Sequence, residues 1–142
     1  MQVKEIMTRE VELIAPTASL TEAAQKMSQL EIGPLPVCDG ERLVGMLTDR
    51  DITVRATAQG RDPQTTAVRD VMTQEVVYCF EDQEVELAAQ MMEMRQIRRV
   101  PVLDHHKRLV GIVSLGDIAV SSTEQLAGAT LHEVSEPAQP KR

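Results

Sequence analysis

Tryptophan is missing from this chain, whose 142 residues hold a single Tyr and a single Phe. A surface so poor in rings has little on which to stack successive bases, which argues against sequence-independent binding of single strands. Positive charge is the minority sign, with 15 Lys and Arg against 22 Asp and Glu and a net charge of −7. Nucleic-acid phosphates are held chiefly by basic surface, so no nucleic-acid partner is expected. Long apolar runs are lacking too, and none approaches the ~20 residues that span a bilayer. The N-terminus MQVKEIMTREVELIAPT has no basic stretch leading into an apolar one. These features predict a cytoplasmic protein with no membrane partner. Cysteine is scarce: Cys38 and Cys79 lie far apart and outside any CxxC spacing, so both are expected as buried free thiols. What is present is 42% hydrophobic residues, enough for a core without disulfides or metal.

The chain repeats itself. Residues 3–39 align without gaps on 68–104, with VKEIMTREV on VRDVMTQEV and IGPLPVCD on IRRVPVLD. After one extra residue in the second copy, RLVGMLTDRDITV (42–54) falls on RLVGIVSLGDIAV (108–120), and 20 of the 50 aligned positions are identical. Such self-similarity marks a duplicated structural unit. In each copy a short amphipathic turn (Val3 to Met7; Val68 to Met72) leads to an apolar run of strand length, Val11 to Ala15 or Val76 to Phe80. Ser19 and Glu22 have capping-box spacing ahead of a helix carried by Leu20, Ala23, Ala24 and Met27, matched by Val85, Ala88, Ala89 and Met92. Two apolar runs split by a polar turn predict a hairpin, around Asp39-Gly40 in one copy and Asp104 to Lys107 in the other. A second helix starts at Thr48 or Ser114. The fold class is therefore α/β (α+β), with two β-α-β-β-α repeats over 1–60 and 61–123. Residues 56–67 suit a linker, and 124–142 suit a short helix with a flexible tail.

The strongest chemical signal is GMLTDRD and GIVSLGD at the strand-to-helix junctions. A hydroxyl there (Thr48, Ser114) has the chemistry to meet phosphate or ribose, and an acid one turn on (Asp51, Asp117) can accept from both ribose hydroxyls. The same pattern also describes plain helix capping, and duplication copies caps and sites alike. A second signal is asymmetric: Arg98-Arg99 in the second repeat stand where the first has Gly33-Pro34. Adjacent guanidinium groups suit a phosphate clamp or, equally, surface ion pairs in an acidic protein. His105-His106 lack a third metal ligand at sensible spacing, so no metal site is expected and turn solvation is the simpler account. The methionines Met91, Met92 and Met94 suit core or dimer packing. No nucleophile with its base can be assembled, so an enzyme is not expected.

These residues resemble the cystathionine-beta-synthase (CBS) domain in tandem, similar to bacterial stand-alone pairs of the hypoxic response protein type. The resemblance covers about residues 3–120 through IMT, LPV or VPV, and GMLTDRDI or GIVSLGDI. It implies two repeats packed about a pseudo-twofold axis, two inter-repeat clefts, and a homodimer. It further implies a regulatory module that binds an adenosine ligand of the AMP, ADP or ATP class, or S-adenosylmethionine, and signals to a separate regulated protein. No cofactor is required. Carried over by position, one cleft would use Arg99, Ser114, Asp117 and Ile112 with Glu12, Leu13, Ile32 and Gly33. The other would use Thr48, Asp51 and Arg50 with Val77, Tyr78, Ile97 and Arg98. Pro34 occupies the place of Arg99, so unequal sites are expected. The alternative function is a ligand-free homodimeric interaction scaffold.

Overall fold

Prolines and glycines set the limits of the secondary structure. In the computed structural model, which describes residues 1–121, the helices and strands run α1 (Leu20–Leu30), β1 (Pro34–Asp39), β2 (Arg42–Thr48), α2 (Asp49–Arg55), β3 (Cys79–Phe80), α3 (Val85–Arg95), β4 (Arg99–Leu103), β5 (Leu109–Ser114) and α4 (Leu115–Ser121). The expected C-terminal helix and tail of 124–142 lie outside the described residues. Among these, no helix is long and apolar enough to cross a membrane.

The chain forms two compact units, one from Glu12 to Val76 and the other from residues 1–11 together with the chain from Val77 on. Unit and repeat are therefore different divisions. The turn that opens the first repeat, Val3–Glu5, buries Val3 and Met7 in the core that holds Val85, Met92, Val100 and Ile118. The turn that opens the second, Val68–Asp70, buries Val68 and Val71 in the core that holds Leu20, Leu35 and Leu47. Each core is thus completed by the leader of the opposite repeat.

The hairpins form as predicted. β1 pairs antiparallel with β2, and β4 with β5, each with a register shift at the same place, Val37/Cys38 and Val102/Leu103. Each leader adds one more antiparallel bridge on the far edge: Thr73 exchanges hydrogen bonds of 2.8 and 2.9 Å with Met46, and Thr8 does the same with Ile112. The glycines of the repeated motif make this approach possible. A Cβ on Gly45 would lie 2.7 Å from Met72 Sδ and 2.9 Å from the Thr73 carbonyl oxygen. One on Gly111 would lie 2.7 Å from Met7 Sδ and 2.8 Å from the Thr8 carbonyl oxygen.

The strands expected over Val11–Ala15 and Val76–Phe80 are much shorter in the structure. The first is a single parallel bridge of Ile14 to Val37, and the second is the two-residue β3 parallel to β4. Proline explains both limits. Extending either pairing toward the N-terminus needs an N–H from Pro36 or Pro101, and proline has none. Toward the C-terminus Pro16 again lacks the donor, whereas Glu81 at the matching position donates to the Leu103 carbonyl at 2.9 Å and lengthens β3.

The segment 56–67 also differs from a free linker. It buries Ala56 and Thr66, and its carbonyls at Thr66 and Pro63 accept from Leu20 and Thr21 at 3.0 and 3.1 Å. These are two of the N–H groups that a helix start leaves without an intrahelical partner. Ser19 satisfies another, its hydroxyl accepting from the Glu22 amide at 3.1 Å as the capping-box spacing predicted.

Candidate functional site

Each repeated motif closes into a reciprocal capping box. Thr48 Oγ1 accepts from the Asp51 amide at 3.0 Å, while Asp51 Oδ2 accepts from the Thr48 amide at 3.0 Å. Ser114 and Asp117 do the same at 3.0 and 2.9 Å. The capping account of this motif is therefore correct in both repeats, and it spends only one oxygen of each carboxylate. The hydroxyl protons and the second carboxylate oxygens are not used by the box.

What differs is the neighbouring strand. Arg99 is the direct partner of Ser114 across β4 and β5, and opposite residues on one sheet face have Cβ atoms about 5 Å apart. The Arg98 carbonyl accepts from the Leu115 amide at 2.8 Å, and both guanidinium side chains are exposed. In the other unit Pro34 faces Thr48, and the Gly33 carbonyl accepts from the Asp49 amide at 3.2 Å. Asp49 replaces Leu115, and a Cβ on Gly33 would lie 3.1 Å from Asp49 Oδ1. One edge thus has two guanidinium groups and one carboxylate. The other has two carboxylates, Asp49 and Asp51, with the cations Arg50 and Arg55 near them, and Arg55 lies 4.0 Å from Asp51.

The structure brings Arg98, Arg99, Ser114 and Asp117 together in one unit, and Ile32, Gly33, Thr48, Arg50 and Asp51 in the other. Ile97 packs on the core of the first group's unit, and Ile112 lies half-buried in β5 with its backbone engaged by Thr8. Val77 and Tyr78 belong to that same unit, where the Tyr78 ring meets Phe80 edge-on with centroids 5.6 Å apart. Glu12 and Leu13 belong to the unit of Thr48, and Lys26 occupies their polar groups, 3.4 Å from Glu12 Oε2 and 2.8 Å from the Leu13 carbonyl. Sequence reasoning missed two residues here. Asp49 was hidden because it has no counterpart in the second repeat. Arg55 holds the Val71 and Met72 carbonyls and lies 4.0 Å from Asp51. Its i,i+4 spacing from Asp51 was the available signal.

The remaining candidates are structural. His105 Nε2 lies 2.7 Å from Asp82 Oδ2, and its ring stacks on Phe80 at 4.8 Å. The carboxylate holds the imidazole above its ordinary pKa, and the imidazole holds Asp82 below the usual carboxylate range. Cys38 and Cys79 are free and buried, and burial pushes each thiol up to about 11. Thiols of that kind are poor nucleophiles at neutral pH.

Two segments, residues 3–56 and 68–122, each match the model of the CBS domain. The chain belongs to the CBS domain family. The CBS domain-containing protein YhcV of Bacillus subtilis is 46% identical over 134 residues, 94% of either chain. Hypoxic response protein 1 of Mycobacterium tuberculosis is 42% identical over 117 residues, 82% of this chain and 81% of the relative. A crystal structure of Hypoxic Response Protein I with two coordinated zinc ions superposes with a TM-score of 0.77 at 40% identity, covering 84% of this chain and 98% of that one. The CBS domain pair of protein MJ0100, solved with 5′-methylthioadenosine and S-adenosyl-L-methionine, gives a TM-score of 0.72 at 32% identity, covering 91% and 97%. CBS pairs are regulatory modules, and some solved pairs hold adenosine compounds. As for zinc, no three His, Cys, Asp or Glu side chains gather to hold a metal among the described residues of this CBS pair. His105 is turned instead onto Asp82 and Phe80.

Proposed function

We propose that this CBS pair is a regulatory sensor of an adenosine nucleotide, with the phosphate held at the Arg99–Ser114 edge and the ribose hydroxyls accepted by Asp117. The observation that carries this reading is the cross-strand pairing of Arg99 with Ser114 beside a capping carboxylate that keeps one oxygen unspent. The adenosine compounds bound to the MJ0100 pair support the ligand class. Guanidinium groups give charge-assisted, bidentate contacts to phosphate, and Arg98 and Arg99 are exposed for that use. At the other edge Pro34 and Asp49 replace Arg99 and Leu115, so Thr48, Asp51 and Arg50 make the weaker phosphate site. Binding changes the population of states that a separate regulated protein recognises, by no more than the ligand's differential affinity for them. The reading is of a regulator and assigns no catalysis.

Thermal unfolding with AMP, ADP, ATP and S-adenosylmethionine at millimolar concentration tests it. A ligand at 100 times its Kd adds about 2.7 kcal/mol by mass action, an easily measured rise in Tm. Arg99→Ala and Asp117→Ala are expected to remove most of that rise. No rise with any of the four compounds refutes the reading.

A second reading, a homodimeric interaction scaffold without ligand, is favoured by one observation. On α3 and α4 Leu87, Met94 and Val120 are exposed, Met94 at 82% and Val120 at 88%. Native mass spectrometry separates the two: a dimer carrying no nucleotide and indifferent to Asp117→Ala supports the scaffold.

A further inference from the structure

We propose that Arg55 is a latch that couples occupancy of Asp51 to the segment by which the chain leaves its unit. The proposal rests on the reading of Asp51 as a ribose acceptor. Arg55 closes α2, and its half-exposed guanidinium reaches two places at once. Nη1 donates to the Val71 carbonyl at 3.1 Å and to the Met72 carbonyl at 3.2 Å. Nε lies 4.0 Å from Asp51 Oδ1, the oxygen that the capping box with Thr48 leaves over.

The position of those carbonyls gives the contact its consequence. Val71 and Met72 end the leader that completes this unit's core, and the unit itself ends at Val76. In the same two peptide groups, the Met72 amide donates to the Val68 carbonyl at 3.0 Å and the Thr73 amide to the Met46 carbonyl at 2.8 Å. Two carbonyls held by one cation keep this last stretch in place. A ribose diol chelating Asp51 puts one hydroxyl on Oδ1, because Oδ2 already accepts from the Thr48 amide and has one lone pair left. That hydroxyl draws on the oxygen that faces Arg55 Nε, so a bound diol weakens the ion pair although the carboxylate keeps its charge. By linkage, removing Arg55 must strengthen diol binding by the same factor that the diol weakens the latch. The device is confined to one unit. Ser121 stands at the position matching Arg55, so no guanidinium follows Asp117 one turn on, and occupancy of the two carboxylates has different effects.

The size is that of a half-exposed ion pair, about twofold to fivefold in an equilibrium constant. Hydrogen exchange in the full chain, read at the Met72 and Thr73 amides, tests the latch with adenosine as the probe, since a nucleoside needs no phosphate site. Adenosine is expected to speed exchange at both amides twofold to fivefold. Asp51→Asn, which keeps a capping acceptor but removes the charge, and Arg55→Met are each expected to do so without ligand. In a chain that also carries Asp117→Asn, Arg55→Met is expected to tighten adenosine binding by calorimetry twofold to fivefold, a gain that a purely structural role would not produce. Unchanged amides in Arg55→Met, or adenosine binding that leaves the amides unmoved, overturns the latch alone. Failure of adenosine, AMP and ATP to bind at all overturns the ligand reading and the latch with it.

Discussion

Replacing Gly111 by Ala is expected to destabilise the protein, although glycine in a strand interior is ordinarily the less favourable residue. The added methyl would sit 2.7 Å from Met7 Sδ and 2.8 Å from the Thr8 carbonyl oxygen. The sulfur can swing away, because methionine has three rotatable bonds, but the carbonyl belongs to backbone fixed by its pair with Ile112. Overpacking of this kind costs about 1–3 kcal/mol, and loosening one of the two Thr8–Ile112 hydrogen bonds costs about 1 kcal/mol more. The lower entropy of an unfolded chain with Ala in place of Gly offsets ~0.4–1 kcal/mol. The net expectation is a loss of about 2 kcal/mol, or a Tm lower by about 8 °C for a chain of this size. Urea unfolding followed by far-UV circular dichroism measures it, and Gly116→Ala is the internal control. In α4 a Cβ on Gly116 would meet, among the described residues, only Ser114 Oγ at an ordinary 3.6 Å, so that variant is expected to gain about 0.5–1 kcal/mol from helix propensity. Equal stabilities of Gly111→Ala and wild type would refute the argument that the leader's approach demands glycine. Restoration of full stability by adding Met7→Ala would refute the part assigned to the Thr8 carbonyl.

Pro34→Arg with Asp49→Leu rebuilds the Thr48 edge in the likeness of the Ser114 edge, and AMP bound per chain in a calorimetric titration is expected to rise toward two. Ser114→Ala removes a cap and is expected to lower stability by about 1 kcal/mol in urea unfolding without nucleotide, with Thr48→Ala costing a similar amount. His105→Gln removes an exposed pair that contributes only while Asp82 is ionised and His105 protonated. Because the imidazole's pKa is raised in the folded protein, its contribution is lost as pH rises through that value. Because Asp82 is lowered, its contribution is lost as pH falls through the folded carboxylate's value. The difference in Tm between wild type and His105→Gln is therefore expected to peak near pH 5, between the ordinary carboxylate at about 3.9 and imidazole at about 6.5, and to fall by pH 9 to the pH-independent part that stacking on Phe80 contributes.

Much of this protein was settled by its sequence alone, because duplication doubles every local signal. The hairpins around Asp39-Gly40 and Asp104 to Lys107, the helix starts at Ser19, Thr48 and Ser114, and the inequality of Pro34 and Arg99 follow from short-range rules that act within a few residues. The shortness of the strands at Ile14 and Cys79 was also written there, in Pro16, Pro36 and Pro101, but a missing donor matters only once the pairing partner is known. Tertiary structure alone decided the rest. Only packing shows that Val3 and Met7 complete the core of the opposite repeat, since apolar residues attract without direction and no local preference says which core a leader joins. Only packing shows why Gly45 and Gly111 are glycine, since the carbonyls that exclude a methyl, of Thr73 and Thr8, lie 28 and 103 residues away in the chain. The same holds for Arg55, whose charge near Asp51 follows from helical spacing but whose grip on the Val71 and Met72 carbonyls exists only when the second leader folds against the first repeat.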